Sequence, residues 1–250
     1  MRTRLVVACL LALAAGGCGD ERGEETRVPT QAADSPLRLE ASSRGPGRAC
    51  AAGEHELRVS PGRRALMLVT PPSSAEPRAL LLALHGAGSG GAPGGLYAFR
   101  GAWSVPGLVI VAPAAAGTAW TLGAADVRFV GRALQRALAR CKVDRRRLAI
   151  GGFSSGAGMA VWLGLTNGDR FRAIIALSGG GSIPDERIGK PRLFVAHGTL
   201  DEVIPIEAGG DTMARELRGH GYDVTYRRFR GGHRVLRSIA REAVLSTLVR

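Results

Sequence analysis

The chain has 250 residues, a formal net charge of +13 and 45% hydrophobic residues, which is enough for one domain with a full core. Arginine carries almost all of the positive charge, since Lys142 and Lys190 are the only lysines. The cations are scattered along the chain and are not interleaved with aromatic residues, as a nucleic-acid-binding face requires. We therefore expect no nucleic-acid partner, while attraction to an anionic lipid or substrate stays open.

The N-terminal segment has the pattern of an export signal. Arg2 and Arg4 precede an apolar run over residues 5–15, which is too short to span a membrane and ends in Ala15-Gly-Gly-Cys18. This ending resembles a bacterial lipoprotein cleavage box, which implies removal of residues 1–17 and lipid attachment to Cys18. The alternative is ordinary signal cleavage beside an incidental cysteine. The expected location is outside the cytoplasm, with a lipid anchor in the bacterial cell envelope, at its periplasmic face or at the cell surface.

A polar segment rich in Glu, Arg, Ser and Pro follows Cys18 and shows no helix or strand period. We interpret residues 18–49 as a lipidated cysteine with a disordered tether of roughly 30 Å reach, and residues 50–250 as the folded domain. Cys50 and Cys141 then form an even pair in an oxidising compartment, which favours a disulfide over two buried thiols.

Apolar runs separated by helical patterns predict a mostly parallel sheet within the domain. Residues 55–59 and 65–70 are expected to form a hairpin. The further strands are predicted at residues 79–84, 108–112, 148–151, 173–177, 193–196 and 222–229. The helices are predicted at residues 126–140, 155–165, 206–220 and 235–249. This alternation predicts an α/β fold whose eight-stranded sheet is flanked by helices.

The strand at 148–151 leads into Gly152-Phe-Ser154-Ser-Gly156, with a helix pattern directly after it. The flanking glycines permit a turn sharp enough to project the Ser154 hydroxyl above the sheet edge. The helix N-terminus behind the serine supplies N–H groups with no partner inside the helix, which suit a developing oxyanion. Ser154 is therefore predicted to be a nucleophile, the alternative being a serine that caps a helix.

Two later strands end in residues that would complete such a site. Asp201 follows the strand at 193–196, and His233 follows the last strand. The order Ser154, Asp201, His233 is that of a nucleophile, an acid and a base in a hydrolase of this layout. The less suitable alternatives are Asp185, Asp211 and Asp223 for the acid, and His55, His85, His197 and His220 for the base. His85 and His197 precede glycines at strand ends, where hydrogen bonds from the ring can orient loops.

These motifs resemble the α/β-hydrolase superfamily from about His55 onward. The stretch from Cys141 to Gly156 is similar to bacterial carboxylesterases of the phospholipase/carboxylesterase type, and to polyhydroxybutyrate depolymerases and feruloyl esterases. The resemblance implies an oxyanion hole built from the backbone N–H groups of Ala87 and Ser155. It also implies a substrate pocket near Trp120 and His85, for which Tyr97, Phe99 and Trp103 are further aromatic candidates. The alternative for all four aromatic residues is packing in the core or in a loop. Residues 178–191 are too few for a cap domain, so we expect an open site.

The sequence therefore predicts an exported serine esterase that acts on a small or polymeric ester through an acyl-enzyme. No Cys/His cluster has metal-ligand spacing, and no phosphate or dinucleotide glycine motif occurs, so neither a metal nor a cofactor is expected. A peptidase or another acyl transferase would use the same three residues. A lipoprotein that has this fold but no activity is the alternative from a different class.

Overall fold

The computed structural model describes residues 38–40, 47–72 and 77–249. The predicted signal segment, the Cys18 lipidation site and most of the predicted tether lie outside the described residues. None of the described helices is long and apolar enough to cross a membrane.

One eight-stranded sheet organises the described part of the chain. Its strands are β1 (Gly53–Ser60), β2 (Arg63–Val69), β3 (Arg78–Leu84), β4 (Leu108–Pro113), β5 (Val143–Phe153), β6 (Ala173–Leu177), β7 (Arg192–Gly198) and β8 (Val224–Phe229). Their spatial order is β1-β2-β4-β3-β5-β6-β7-β8. Only β2 runs against its neighbours, and the pairs from β4 to β8 are all parallel. The predicted fold class is confirmed.

Five α-helices flank this sheet in the described residues. They are α1 (Ala92–Ala98), α2 (Ala124–Arg140), α3 (Ser155–Thr166), α4 (Gly210–Gly219) and α5 (Arg237–Val244), with a 3-10 turn at Arg100–Ala102 and a π-helical turn at Leu245–Val249. The sequence did not predict α1, because Gly94 and Gly95 give it low helix propensity. Gly95 is needed there, since a Cβ on it would lie 2.7 Å from the carbonyl oxygen of Ala83 in β3.

The core lies in two layers, one on each face of the sheet. Successive side chains of a strand point to opposite faces, so Leu80 and Leu82 join the layer that includes Leu163 of α3. Leu81 joins the other layer, together with Val244 of α5. Both faces of the central strands are therefore covered, which explains why β3 is apolar at nearly every position.

Part of the predicted tether packs against the domain. Leu39 is 3% exposed, and its backbone N–H donates to Oδ1 of Asn167 over 2.8 Å. Arg38 forms a bidentate ion pair with Asp169. Residues 38–40 thus differ from the expected tether, because burial of Leu39 and the fixed Arg38 pair hold them at the end of α3.

A covalent link joins a second N-terminal segment to the domain. Cys50 and Cys141 form a disulfide with a Cα–Cα distance of 5.2 Å. Beside it, the Arg48 carbonyl accepts a hydrogen bond from the Lys142 N–H over 2.8 Å. This segment therefore lies along the chain where α2 leads into β5.

The connection between β6 and β7 contains no helix or strand over residues 178–191, all of which are described. No cap domain is inserted there, so the carboxyl ends of β5, β7 and β8 are left uncovered by this connection.

Candidate active site

Ser154 stands on a sharp turn between β5 and α3 with backbone angles of φ 55° and ψ −121°. Positive φ is costly for a residue with a Cβ, and such strain concentrates at functional sites. The flanking glycines make the turn possible. A Cβ on Gly152 would overlap the carbonyl of Gly156, and a Cβ on Gly156 would overlap the carbonyl of His85. The predicted steric reason for the Gly-x-Ser-x-Gly pattern is therefore visible in the backbone.

The structure brings the three predicted catalytic side chains together. Nε2 of His233 lies 2.9 Å from Oγ of Ser154, and Nδ1 of the same ring lies 2.8 Å from Oδ2 of Asp201. The ionised carboxylate can only accept, so Nδ1 carries the ring proton and Nε2 accepts the serine hydroxyl. The ring also packs against Phe153, with 4.8 Å between the ring centroids. In this arrangement the imidazole is ready to take a proton from Ser154.

The Asp201 carboxylate is buried and held by several donors. Its Oδ1 accepts the backbone N–H groups of Val203 at 3.0 Å and Ile204 at 2.9 Å. Burial acts to raise the pKa of Asp201, but the Ile204 N–H, the His233 ring and the Val203 N–H together outweigh it and hold that pKa below its ordinary value. The group is therefore ionised at neutral pH, as a residue that orients an imidazolium must be.

His197 is a further partner of this carboxylate, and the sequence did not reveal that role. Its ring is fully buried, and its Nδ1 accepts the Gly210 N–H over 3.1 Å. The proton therefore sits on Nε2, which lies 2.9 Å from the Ile204 carbonyl oxygen and 3.2 Å from Oδ2 of Asp201. The spacing of four residues between His197 and Asp201 was the available signal, and His197 was expected only to orient its loop.

The two predicted oxyanion donors belong to the residue after Ser154 and to the turn after β3, where Gly86 lies against Ser154. Ser155 is the first residue of α3, so its N–H has no partner inside the helix. Ala87 lies in the exposed turn after β3, and its N–H has no backbone partner among the described residues. Ser155 also carries the one buried side-chain oxygen in the described part of the chain that has no hydrogen-bond partner.

The prediction that Trp120 and His85 line the substrate pocket differs from the structure. Both are buried, and the Trp120 indole N–H donates to the His85 carbonyl over 2.9 Å. Nε2 of His85 accepts the Ala115 N–H, so its Nδ1 donates to the Gly86 carbonyl. Through these hydrogen bonds both rings hold the loops after β3 and β4 in place. The expected loop-orienting role of His85 agrees with these contacts.

An apolar cleft of about 610 Å³ opens next to the His233 ring, and α1 forms one of its walls. Its aromatic lining is Tyr97, Trp103 and Phe153. Tyr97 is 59% exposed and Trp103 42% exposed, so both present ring surface to solvent. Phe99, by contrast, is fully buried in the core. The cleft was missed because α1 was missed, although Pro93 in its first turn is a helix-start signal.

The phospholipase/carboxylesterase family model matches residues 128–242, a stretch that contains Ser154, Asp201 and His233. Over this stretch the chain is similar to phospholipases and carboxylesterases, and its sheet has the arrangement of the α/β-hydrolase fold. It is similar to acyl-protein thioesterase 1 of Neurospora crassa, at 36% identity over 98 residues. That match covers 35% of this chain and only 39% of the relative's length.

Solved structures extend the similarity to most of the hydrolase domain. The crystal structure of esterase PE8 matches with a TM-score of 0.56 and 26% identity, covering 72% of this chain and 95% of that one. S-formylglutathione hydrolase of Staphylococcus aureus matches with a TM-score of 0.60 at 14% identity, covering 80% and 97% of the two chains. The second similarity concerns the fold alone. The similarity to esterase PE8 concerns a protein that is itself an esterase, and it covers almost all of that chain.

Proposed function

We propose that this protein is an exported serine esterase with Ser154 as nucleophile, His233 as general base and acid, and Asp201 as the residue that orients His233. The observation that carries the proposal is the continuous hydrogen-bonded chain from Ser154 Oγ through the His233 ring to Asp201. The strained backbone of Ser154 and the esterase relative described above support it.

The reaction follows from these contacts. As Oγ of Ser154 forms its bond to the ester carbonyl carbon, its proton passes to Nε2 of His233. The N–H groups of Ala87 and Ser155 stabilise the oxyanion that results. The bond to the leaving oxygen then breaks, and the proton on Nε2 moves to that oxygen to give the alcohol. Water adds to the acyl-enzyme by the reverse assignment, which releases the acid and returns the proton to Oγ.

We infer that the acyl group occupies the apolar cleft, with an aromatic or short acyl chain as the preferred class. The cleft volume falls within the ordinary range for small-molecule sites, about 300–1,000 Å³. The uncapped sheet edge leaves room for a bulky alcohol on the other side of Ser154.

We further propose that the chain is exported and lipid-anchored through Cys18. The support is the basic, apolar and small-residue pattern that ends at this cysteine. Palmitate labelling of the wild type and of Cys18→Ala, both produced in a bacterium, tests this. Equal labelling of the two, or none of the wild type, would refute the anchor.

A matched pair of variants tests the catalytic proposal. Ser154→Ala should abolish both fluorophosphonate labelling and ester hydrolysis, at a cost of several orders of magnitude in rate. Ser155→Ala should keep both, because only the backbone N–H of Ser155 is used. It should also unfold no more easily, since the hydroxyl that it removes has no partner. A folded Ser154→Ala protein with near-normal activity would refute the proposal, and a wild type that does not react would indicate an inactive hydrolase-like protein.

A further inference from the structure

A cluster of cations lies at the opposite edge of the sheet from Ser154. It surrounds a polar depression of about 460 Å³ at the amino ends of β5, β6 and β7. The cationic residues that line the depression are Arg145, Arg146, Arg170, Arg172, Lys190 and Arg192. We call these six residues the basic face. The esterase chemistry proposed above uses none of them.

Carboxylates are few among the residues that line the depression. Asp169 is the one acidic residue among those that line the depression, and it is already paired with Arg38 from outside the set. Asp223 lies 3.7 Å from Arg192, with both side chains more than half exposed, so water screens that pair. Asp144 accepts a backbone N–H at the start of β5. Among the residues that line the depression, six cations therefore stand against one carboxylate, so this lining carries a positive surplus.

Arg170 is partly buried and lies near a second cation, Arg38. Burial, and then the nearby charge of Arg38, hold the pKa of Arg170 below its ordinary value, while Asp169 acts in the other direction. An anion that reached the depression would relieve this repulsion.

The N-terminal chain joins the domain beside the same face. Arg170 donates to the backbone carbonyl of Glu40 over 2.8 Å, and Arg38 donates to the Thr166 carbonyl and to Asp169. Cys18 precedes Arg38 by 20 residues. A lipid on Cys18 would therefore tether the domain from a point next to the basic face.

The candidate active site lies at the other ends of the same strands. β7 begins at Arg192 in the basic face and leads to Asp201. At roughly 3.3 Å per residue, its seven residues separate the two edges by about 20 Å. A partner bound to the basic face would therefore leave the sheet edge that carries Ser154 directed away from that partner.

We propose that the basic face docks on an anionic phospholipid bilayer and orients the hydrolase with its active site away from the membrane. The inference rests on the proposed membrane anchor for its biological setting. The binding itself does not require the lipid on Cys18, because surface cations each contribute about fivefold to partitioning onto an anionic membrane.

Flotation with lipid vesicles tests the proposal on the predicted mature chain, residues 18–250, carrying Cys18→Ala, so that neither an acyl group nor the apolar run over residues 5–15 contributes. This parent should bind vesicles made of equal parts phosphatidylglycerol and phosphatidylcholine and should not bind pure phosphatidylcholine. The triple change Arg145→Gln, Arg146→Gln and Arg192→Gln should lower the partition coefficient roughly 100-fold. Added salt should weaken binding of the parent, because these contacts are exposed.

A charge-matched control separates the basic face from the overall charge. Arg58→Gln, Arg132→Gln and Arg136→Gln remove three exposed cations elsewhere and should change the partition coefficient by less than about fivefold. An equal loss in both triple variants, or no binding by the parent, would overturn the proposal. Tighter binding of a DNA duplex than of vesicles, lost in the first variant only, would also overturn it. Fluorophosphonate labelling of Ser154 in every variant reports the esterase proposal separately.

Discussion

Nε2 of His197 lies 3.2 Å from Oδ2 of Asp201, the same oxygen that accepts the Nδ1 proton of His233 at 2.8 Å. Two histidine rings thus contact the same carboxylate oxygen. The Gly210 N–H fixes the His197 tautomer, so its Nε2 can only donate. In the proposed mechanism His197 is therefore a positioning residue, which would act on Ser154 through Asp201 and His233.

Replacing His197 should impair catalysis without weakening substrate binding. His197→Phe removes a donor from the carboxylate, which should raise the pKa of Asp201 and lower kcat by about tenfold to 100-fold, with KM little changed. The acid limb of the kcat profile should then begin at a higher pH. His197→Gln keeps a side-chain donor and should recover part of the rate. A fall in stability with an unchanged pH profile would instead indicate a purely structural residue.

The low pKa of Asp201 predicts how stability depends on pH. The folded-state pKa lies below the value of the unfolded chain, so the stabilisation is fully present above about pH 4. It is lost as the pH falls through the folded-state pKa. The melting temperature of the wild type should therefore exceed that of Asp201→Asn at neutral pH, and this gap should narrow in acid. A gap that stays constant, or widens, as the pH falls would contradict this origin of the stabilisation.

The disulfide should stabilise the domain strongly, because Cys50 and Cys141 are 91 positions apart. Closing a loop of this length in the unfolded chain is worth about 4.6 kcal/mol in the chain-entropy model. Cys50→Ser with Cys141→Ser should therefore lower the melting temperature by several degrees. Reductant should destabilise the wild type similarly and leave the double variant unaffected. Rapid alkylation of both cysteines in the native protein without denaturant would show that the bridge does not form.

The sequence predicted those features that depend on local sterics and chain order. Gly152 and Gly156 impose the turn at Ser154 through contacts within a few residues or with the adjacent strand. Trp120 is not part of the cleft lining, and its indole N–H donates to the His85 carbonyl, which lies 35 residues away along the chain. Packing of Leu39 at the end of α3 likewise depends on Asn167, 128 residues distant. Interactions at such separations leave no periodic signal in the sequence.

Helix α1 is the part of the site that changes the expected substrate geometry. The sequence predicted no helix between β3 and β4, whereas in the structure α1 forms there and makes one wall of the cleft. The Trp103 ring is fixed there by donation of its indole N–H to the Leu96 carbonyl over 3.2 Å. Apolar surface removed from water contributes about 25 cal/mol per Å², and a fixed ring has little conformational freedom to lose.

The aromatic lining of the cleft therefore predicts a preference for aromatic acyl groups, which two substitutions should remove. Trp103→Leu and Tyr97→Ala should each lower kcat/KM for a benzoyl ester by about tenfold, because an aromatic acyl group loses a stacking partner. The acetyl ester of the same alcohol, which is too small to reach the rings, should be hydrolysed at a nearly unchanged rate. Leu122→Ala is the matched control, since Leu122 is 41% exposed but lies outside the cleft lining. An equal fall in kcat/KM for both esters would show that the two rings serve folding. A kcat/KM that rose steadily with the length of a linear acyl chain would show that the cleft continues as an acyl tunnel.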